Sequence, residues 1–510
     1  MSSSDTAGPI ERAENAIDGA FTPLSDAVSG VIFYPLTIGG ASFPWIVAWL
    51  VVGAVVFTIG FRFIQFRGFG HAVALARGGY DDPDDPGEVT HFQALTAAVS
   101  GTVGLGNIAG VAVAVSIGGP GATFWMVVAG LLGMATKFVE CTLGVAFREE
   151  HEDGTVSGGP FRYLKVAFAK LRVPFLPTVL VTVYAVAILA FGLAGGNMFQ
   201  ANQMFAQVEN VTGGEDGPLG GAGASLLFGI VVAVIVGLVI LGGIQSIAKV
   251  TSRLVPAMAI VYVLGCLTVI AFNAELVPGA IGEIFSGAFN PDGVTGGVLG
   301  VLIVGFQRAA FSNEAGLGSA AIAHSAVKTK RPVTEGFVAL LEPFIDTVII
   351  CTMTALAIVI AQPQSWLDAR ESYAAGEPAN PDGVVLTSDA FATVVPWFPV
   401  VLAVAVVLFA FSTLITWSYY SLKAWETLFG RSRAGELVFK VVYCVFIVIG
   451  TVLTFSAVLN FADAMLFVCA LVNILGLYML FPEVKRMLRD YQADRRSGAV
   501  RPVKDRDPVG

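Results

Sequence analysis

Between Ser100 and Gly110 the chain reads Ser-Gly-Thr-Val-Gly-Leu-Gly-Asn-Ile-Ala-Gly, four glycines in eleven residues within an otherwise apolar stretch. Each glycine costs a helix up to about 1 kcal/mol relative to alanine, so a helix is expected to unwind here. Unwinding frees carbonyls that can coordinate a cation. It also exposes amides at the start of a half-helix, where a carboxylate can bind. A zwitterionic amino acid together with sodium meets both demands. A second run, Ala315-Gly-Leu-Gly-Ser-Ala-Ala321, resembles Val103-Gly-Leu-Gly-Asn-Ile-Ala109 and carries the same expectation. Small residues also serve close helix packing, but two matching runs at symmetric positions favour broken, functional helices.

The ionisable residues inside apolar stretches are few, and each needs a partner. Lys137 and Glu140, spaced i, i+3, are expected to pair. Arg308 and Glu314 flank the second glycine run and are expected to hold or gate it, whereas Asp463 has no assigned partner. Glu342 and Asp346 share one helical face, with Asp346 placed to approach a cation. No Ser/His/Asp triad, HExxH or phosphate-binding loop is evident, so an enzyme is not indicated. The five cysteines lie in or near apolar runs without a Cys-x-x-Cys pair and read as buried thiols.

Positioning such groups calls for long apolar helices, and the composition supplies them. The chain has 510 residues, 55% of them hydrophobic and only 13% charged, with a mean hydropathy of +0.76. Charge-free runs such as 43–60, 226–243 and 396–416 are long enough to cross roughly 30 Å of hydrocarbon. They are continuous rather than alternating, which favours helices over barrel strands. Eleven spans are expected, at 43–63, 92–116, 119–147, 176–207, 224–243, 251–273, 295–323, 335–361, 389–421, 436–456 and 459–481. Of the 29 Lys and Arg residues, 25 fall in alternate connecting segments and the tail. That bias places the N-terminus outside and the C-terminus in the cytoplasm. The first residues carry no signal-peptide pattern. The net charge of -9 collects in loops such as Tyr80 to Glu88, an acidic surface that would suit high salt, and nothing fits nucleic acid.

Six ordered motifs make the pattern specific. Gly118 to Gly133 (GGPGATFWMVVAGLLG) resembles the signature of the alanine or glycine:cation symporter family, also called sodium:alanine symporters. Ser100 to Gly110 and Gln307 to Ser319 (QRAAFSNEAGLGS) resemble two further family motifs, joined by Gly196 to Gln200, Phe409 to Trp417 and Gly158 to Tyr163. The sequence departs from the family pattern at Thr123, Val127 and Leu105; Leu105 lacks the hydroxyl that many members carry beside the carboxylate site, but keeps its amide. The resemblance covers residues 43–481 and implies an all-α polytopic membrane protein with a fold like the bacterial leucine transporter. In that fold an extracellular segment (1–42) and one additional helix (43–63) precede a 5+5 inverted repeat, 92–273 and 295–481, with two broken helices, and a basic cytoplasmic tail follows (482–510).

The resemblance also implies site residues. Leu105 and Gly106 would offer amides to a substrate carboxylate and Gln200 a polar side chain, while Phe306, Phe311, Thr413 and Trp417 would shape a small pocket. Sodium would be held by Asn107 and the Thr102 carbonyl at one site, and by the Ser100 and Val103 carbonyls with Ser412 and Thr413 at another. Several of these residues have plainer readings as helix contacts, and the hydroxyls of Ser412 and Thr413 can bond one turn back. Thr413 and Trp417, four residues apart, share one helical face.

The implied function is symport of a small neutral amino acid, alanine or glycine, into the cell across the plasma membrane by alternating access. Sodium is the coupling ion and no organic cofactor is expected. Proton coupling is the nearest alternative and an ion channel a more distant one.

Overall fold

The structure is a computed structural model that describes residues 23, 26–38, 41–82, 84–152, 155–221, 223–290, 297–375, 383–453 and 455–503. Most of the expected N-terminal segment, the start of the second repeat at 295–296 and the end of the tail lie outside these residues. A short antiparallel hairpin, Pro35–Ile38 with Ala41–Pro44, leads into the helix Trp45–Gly60. Among the described residues the rest is built from packed helices and their connections, apart from a two-residue strand pair at Glu149–Glu150 and Val156–Ser157 and a single bridge between Val89 and Val327.

Among the described residues six helices are long and apolar enough to cross a membrane, and a bent pair, His91–Thr102 with Leu105–Ile117, counts as a seventh. Trp45–Gly60, Ala224–Ile240, Gly297–Asn313 and Gly383–Ala392 are shorter apolar helices. The chain is thus an all-α, multi-pass membrane protein.

Two spans differ most in extent from the sequence reading. The segment expected at 389–421 is split: Gly383–Ala392 ends before Pro396, and a new helix starts at Phe398 with Pro399 in its first turn. Proline has no N–H to bond backwards, but it fits the opening turn of a helix. The last helix, Phe455–Ser497, continues far past 481 and through Pro482. The Lys, Arg, Leu, Met and Gln residues beyond that proline are strong helix formers.

The first broken span starts on a reciprocal cap: Thr90 Oγ1 accepts from the Gln93 N–H (3.3 Å) and Gln93 Oε1 from the Thr90 N–H (3.0 Å). It bends by 59° at the glycines. Val103 leaves helical geometry, Gly104 is extended, and Leu105–Asn107 form a tight 3-10 turn before the helix Ala109–Ile117. The second break follows Asn313, where Glu314, Gly316 and Gly318 take positive φ and a short helix, Ala320–His324, resumes.

Candidate transport site

The two breaks differ in how their freed backbone groups are satisfied. At the second, Tyr184 donates to the Leu317 carbonyl (2.8 Å), Asn473 to the Gly316 carbonyl (2.8 Å), and the Ala315 N–H bonds to Asn313 Oδ1 (2.9 Å). Helix neighbours thus re-satisfy an irregular segment at membrane depth. At the first break the partners are residues drawn from the site motifs.

Leu105 N–H donates to Gln200 Oε1 (3.0 Å), and Gln200 Nε2 donates to the Gly195 carbonyl (3.0 Å). That carbonyl belongs to a widened π turn, Ala194–Met198, and such turns recur at functional sites. A Cβ on Gly104 would stand 2.5 Å from Thr413 Oγ1 and 3.0 Å from Gln200 Oε1. Gly104, Gln200 and Thr413 therefore converge so closely that any side chain at 104 would displace one of the others. Gly106 lies against the Phe311 ring, 3.1 Å from where its Cβ would be, and Phe311 meets Phe191 and Phe199 edge-on.

Thr413 Oγ1 donates to the Ser100 carbonyl (3.0 Å) and Trp417 Nε1 to the Gly101 carbonyl (3.2 Å), so the i, i+4 pair does face one element, the first broken span. The Trp417 ring packs on Phe191 and lies against Gly196. Ser100 Oγ donates to the Ser412 carbonyl (2.7 Å), while Ser412 Oγ bonds back to the Phe409 carbonyl (2.9 Å). The hydroxyl of Thr102 also bonds back along its own helix, and its carbonyl accepts the Gly104 N–H (2.8 Å). Val103 is fully buried at the bend.

Phe306 lies apart from this group. It lines a crevice with Leu50, Ala129 and Ile474. Five residues separate it from Phe311, a rotation of about 140° at 3.6 residues per turn, so the two rings leave the helix on different faces.

A second polar cluster surrounds Asn107. Its Nδ2 is 2.7 Å from Asp346 Oδ1, 3.0 Å from Ser312 Oγ and 3.3 Å from Cys351 Sγ. The other carboxylate oxygen of Asp346 accepts from Ser312 Oγ (2.5 Å) and Thr347 Oγ1 (2.8 Å). Asp346 is fully buried, sits in another π turn, Phe344–Cys351, and has only neutral hydrogen-bond partners among the described residues. The sequence reading placed Asp346 near a cation but missed Ser312 and Thr347. Ser312 lies within the FSNEAG run and Thr347 directly follows Asp346, so adjacency to a motif and to a buried carboxylate was the available signal.

The remaining buried charges form a chain. Lys137 Nζ is 3.2 Å from Glu342 Oε2, and Glu140 accepts from Asn473 Nδ2 (2.7 Å), so the expected Lys137–Glu140 pair is replaced by one across helices. His324 Nε2 contacts Glu342 (2.6 Å) and its Nδ1 contacts Glu335, which also meets His91 Nδ1. His91 Nε2 lies 3.9 Å from Asp81. Cys141, His324 and Glu342 offer ligand atoms within 4.8 Å of one another. The lysine ammonium and two carboxylates already occupy Glu342 and both His324 nitrogens, so this is a charge-paired cluster rather than a metal centre. Arg308 pairs with Asp463 and lies 5.5 Å from the Phe311 ring, which answers the open assignment of Asp463. Glu314 accepts from Ser319 within its own break. The five cysteines are free, four of them buried.

This arrangement has relatives. The model of the sodium:alanine symporter family matches residues 36–506. The chain is 34% identical to the sodium/alanine symporter AgcS of Methanococcus maripaludis over 89% of its own length and 96% of that protein. It is 32% identical to the amino-acid carrier protein AlsT of Bacillus subtilis (87% and 88%), and 31% identical to the probable sodium/glutamine symporter GlnT of the same organism (89% and 88%). Among solved structures, that of MhsT in complex with L-phenylalanine superimposes with a TM-score of 0.53 at 15% identity, over 76% of this chain and 88% of that one, a likeness of fold. The protein is a secondary transporter, not an enzyme, and it belongs to the sodium:alanine symporter family.

Proposed function

We propose that the protein carries a small neutral amino acid, alanine or glycine, into the cell together with sodium, by alternating access around the first break. The observation that carries this reading is the hydrogen bond from the Leu105 amide to Gln200 Oε1 (3.0 Å). An amide at the start of a half-helix suits an anionic oxygen, and the Gln200 carbonyl oxygen stands where a substrate carboxylate oxygen would bind. Phe311 and Trp417 close the sides, consistent with a short side chain.

Sodium is a hard cation that takes oxygen ligands. Two oxygen-rich places flank the break: Ser100, Ser412 and Thr413 on one side, and Asp346 with Asn107, Ser312 and Thr347 on the other. A buried carboxylate hydrogen-bonded only to neutral groups is costly in a membrane unless a cation joins it. The relatives' names support a sodium-linked amino-acid substrate and differ on its size. The basic-residue bias supports a cytoplasmic C-terminus.

The test is uptake of radiolabelled alanine into proteoliposomes under an inward sodium gradient. Accumulation that disappears when the gradient is collapsed is the expected result. Accumulation that persists without sodium at fixed pH, driven by a proton gradient, would replace this reading with proton coupling. Current without substrate and without accumulation would replace it with a channel.

A further inference from the structure

Where the first membrane helix meets the last one, at the end bearing Gly60 and Pro482, lies an open groove of about 660 Å³. Among the described residues six cations line it, Arg62, Arg67, Lys485, Arg486, Arg489 and Arg496, all exposed, and no carboxylate does. The carboxylates of the same helix turn to other partners. Glu483 pairs with Lys170 and Asp494 with Arg331, and only Asp490 touches a groove cation, loosely, 3.7 Å from Arg489. A general excess of basic residues on one membrane face explains cations at this end of the molecule. It does not explain six on the wall of one concavity.

The chain is bent to make this wall. Arg62 and Phe63 both hold left-handed backbone, with φ of 53° and 56°, a conformation that non-glycine residues rarely adopt and that often marks functional segments. The turn leaves Phe63 and Phe66 stacked on each other and 50% and 61% exposed. The groove floor mixes in Phe61, Ile64 and Leu488. Cations beside apolar side chains, at the end of a membrane helix, match an amphiphile rather than a soluble anion.

We propose that this groove binds the phosphate headgroup of an anionic phospholipid, with the glycerol and upper acyl carbons against Phe61, Ile64 and the Phe63–Phe66 pair. The guanidinium groups meet the phosphate by paired N–H donation, for which arginine is better shaped than lysine.

Native mass spectrometry of the full-length protein in detergent, titrated with phosphatidylglycerol or phosphatidylcholine, tests this. The unmodified protein should retain phosphatidylglycerol well above phosphatidylcholine. The triple variant Arg62→Gln, Arg486→Gln, Arg489→Gln should lose that preference by roughly a hundredfold, each cation near a lipid surface being worth about a factor of five. A charge-matched control, Lys249→Gln, Arg253→Gln, Arg433→Gln, removes exposed cations outside the groove and should keep it. If the groove variant misfolds, Arg62→Lys, Arg486→Lys, Arg489→Lys keeps the charge and should bind more weakly than the unmodified chain. Equal retention of the two lipids, equal loss in the control, or displacement of phosphatidylglycerol by millimolar inorganic phosphate would each overturn the proposal.

Discussion

Asp346 is the residue on which the sodium reading turns most directly. Asp346→Asn keeps the shape and the hydrogen bonds offered by Ser312 and Thr347 but removes the charge that a cation would neutralise. The sodium concentration for half-maximal uptake should rise at least about tenfold, equivalent to about 1.4 kcal/mol, beyond what loss of the Asn107 contact alone would bring. An unchanged sodium dependence would make the carboxylate structural. Thr413 and Ser412, adjacent in sequence, should separate in the same assay. Thr413 reaches across to the Ser100 carbonyl, whereas Ser412 bonds back to its own helix. Thr413→Ala should shift the sodium dependence by roughly threefold or more, since interhelical hydrogen bonds in membranes average about 0.6 kcal/mol, and Ser412→Ala, which breaks no interhelical bond, should leave it unchanged. The Ser412 carbonyl, which every variant keeps, already holds Ser100 Oγ.

At the scale of the element, the break in the first span was legible because glycine is costly in a helix and four of them crowd eleven residues. The partners of the break were legible only in part. Periodicity put Thr413 and Trp417 on one face, and they do meet one element. It also made Lys137 and Glu140 neighbours along one helix, yet spacing says nothing of a stronger partner across an interface, and Glu342 is that partner. Ser312 and Thr347 converge on Asp346 only once the helices pack, which no local pattern records. Two consequences can be measured. Gly104→Ala should abolish uptake while the protein still folds, because the added methyl displaces Thr413 Oγ1 and Gln200 Oε1 from the bend. Lys137→Ala should destabilise the protein by roughly 3–5 kcal/mol by leaving Glu342 without its ammonium. Adding Glu342→Gln should recover part of the lost thermal stability, and adding Glu140→Gln should not, since Glu140 is held by Asn473.

Across the whole molecule, the stretch after the first span is tied to the last helix through His71, whose Nε2 lies 2.8 Å from the Tyr491 hydroxyl, with the Tyr80 and Phe337 rings packed around it. Burial, aided by the nearby Arg495 charge, pushes the His71 pKa down to about 4. The unfolded chain therefore binds this proton near its ordinary value of about 6.5, before the folded one does. Stability is unaffected above that pH and falls as the pH drops from there towards 4. Melting curves in detergent should show this acid loss, and His71→Gln, which cannot titrate, should flatten that part of the profile. The all-helical, membrane-spanning class was plain from composition, whereas the extents of individual helices were not, because proline at 396 and strong helix formers after 482 decide them locally. The last helix shows what this means mechanically. Its 43 residues extend about 65 Å, roughly twice the hydrocarbon thickness, so about half of it crosses the bilayer and the other half projects beyond, docked on the rest of the molecule through Tyr491 and Asp494. A tilt of the helix displaces its tip near Ser497 further than its middle. A pair of spectroscopic labels there and on the Ala122–Ala146 helix would turn small rearrangements at the break into displacements large enough to time.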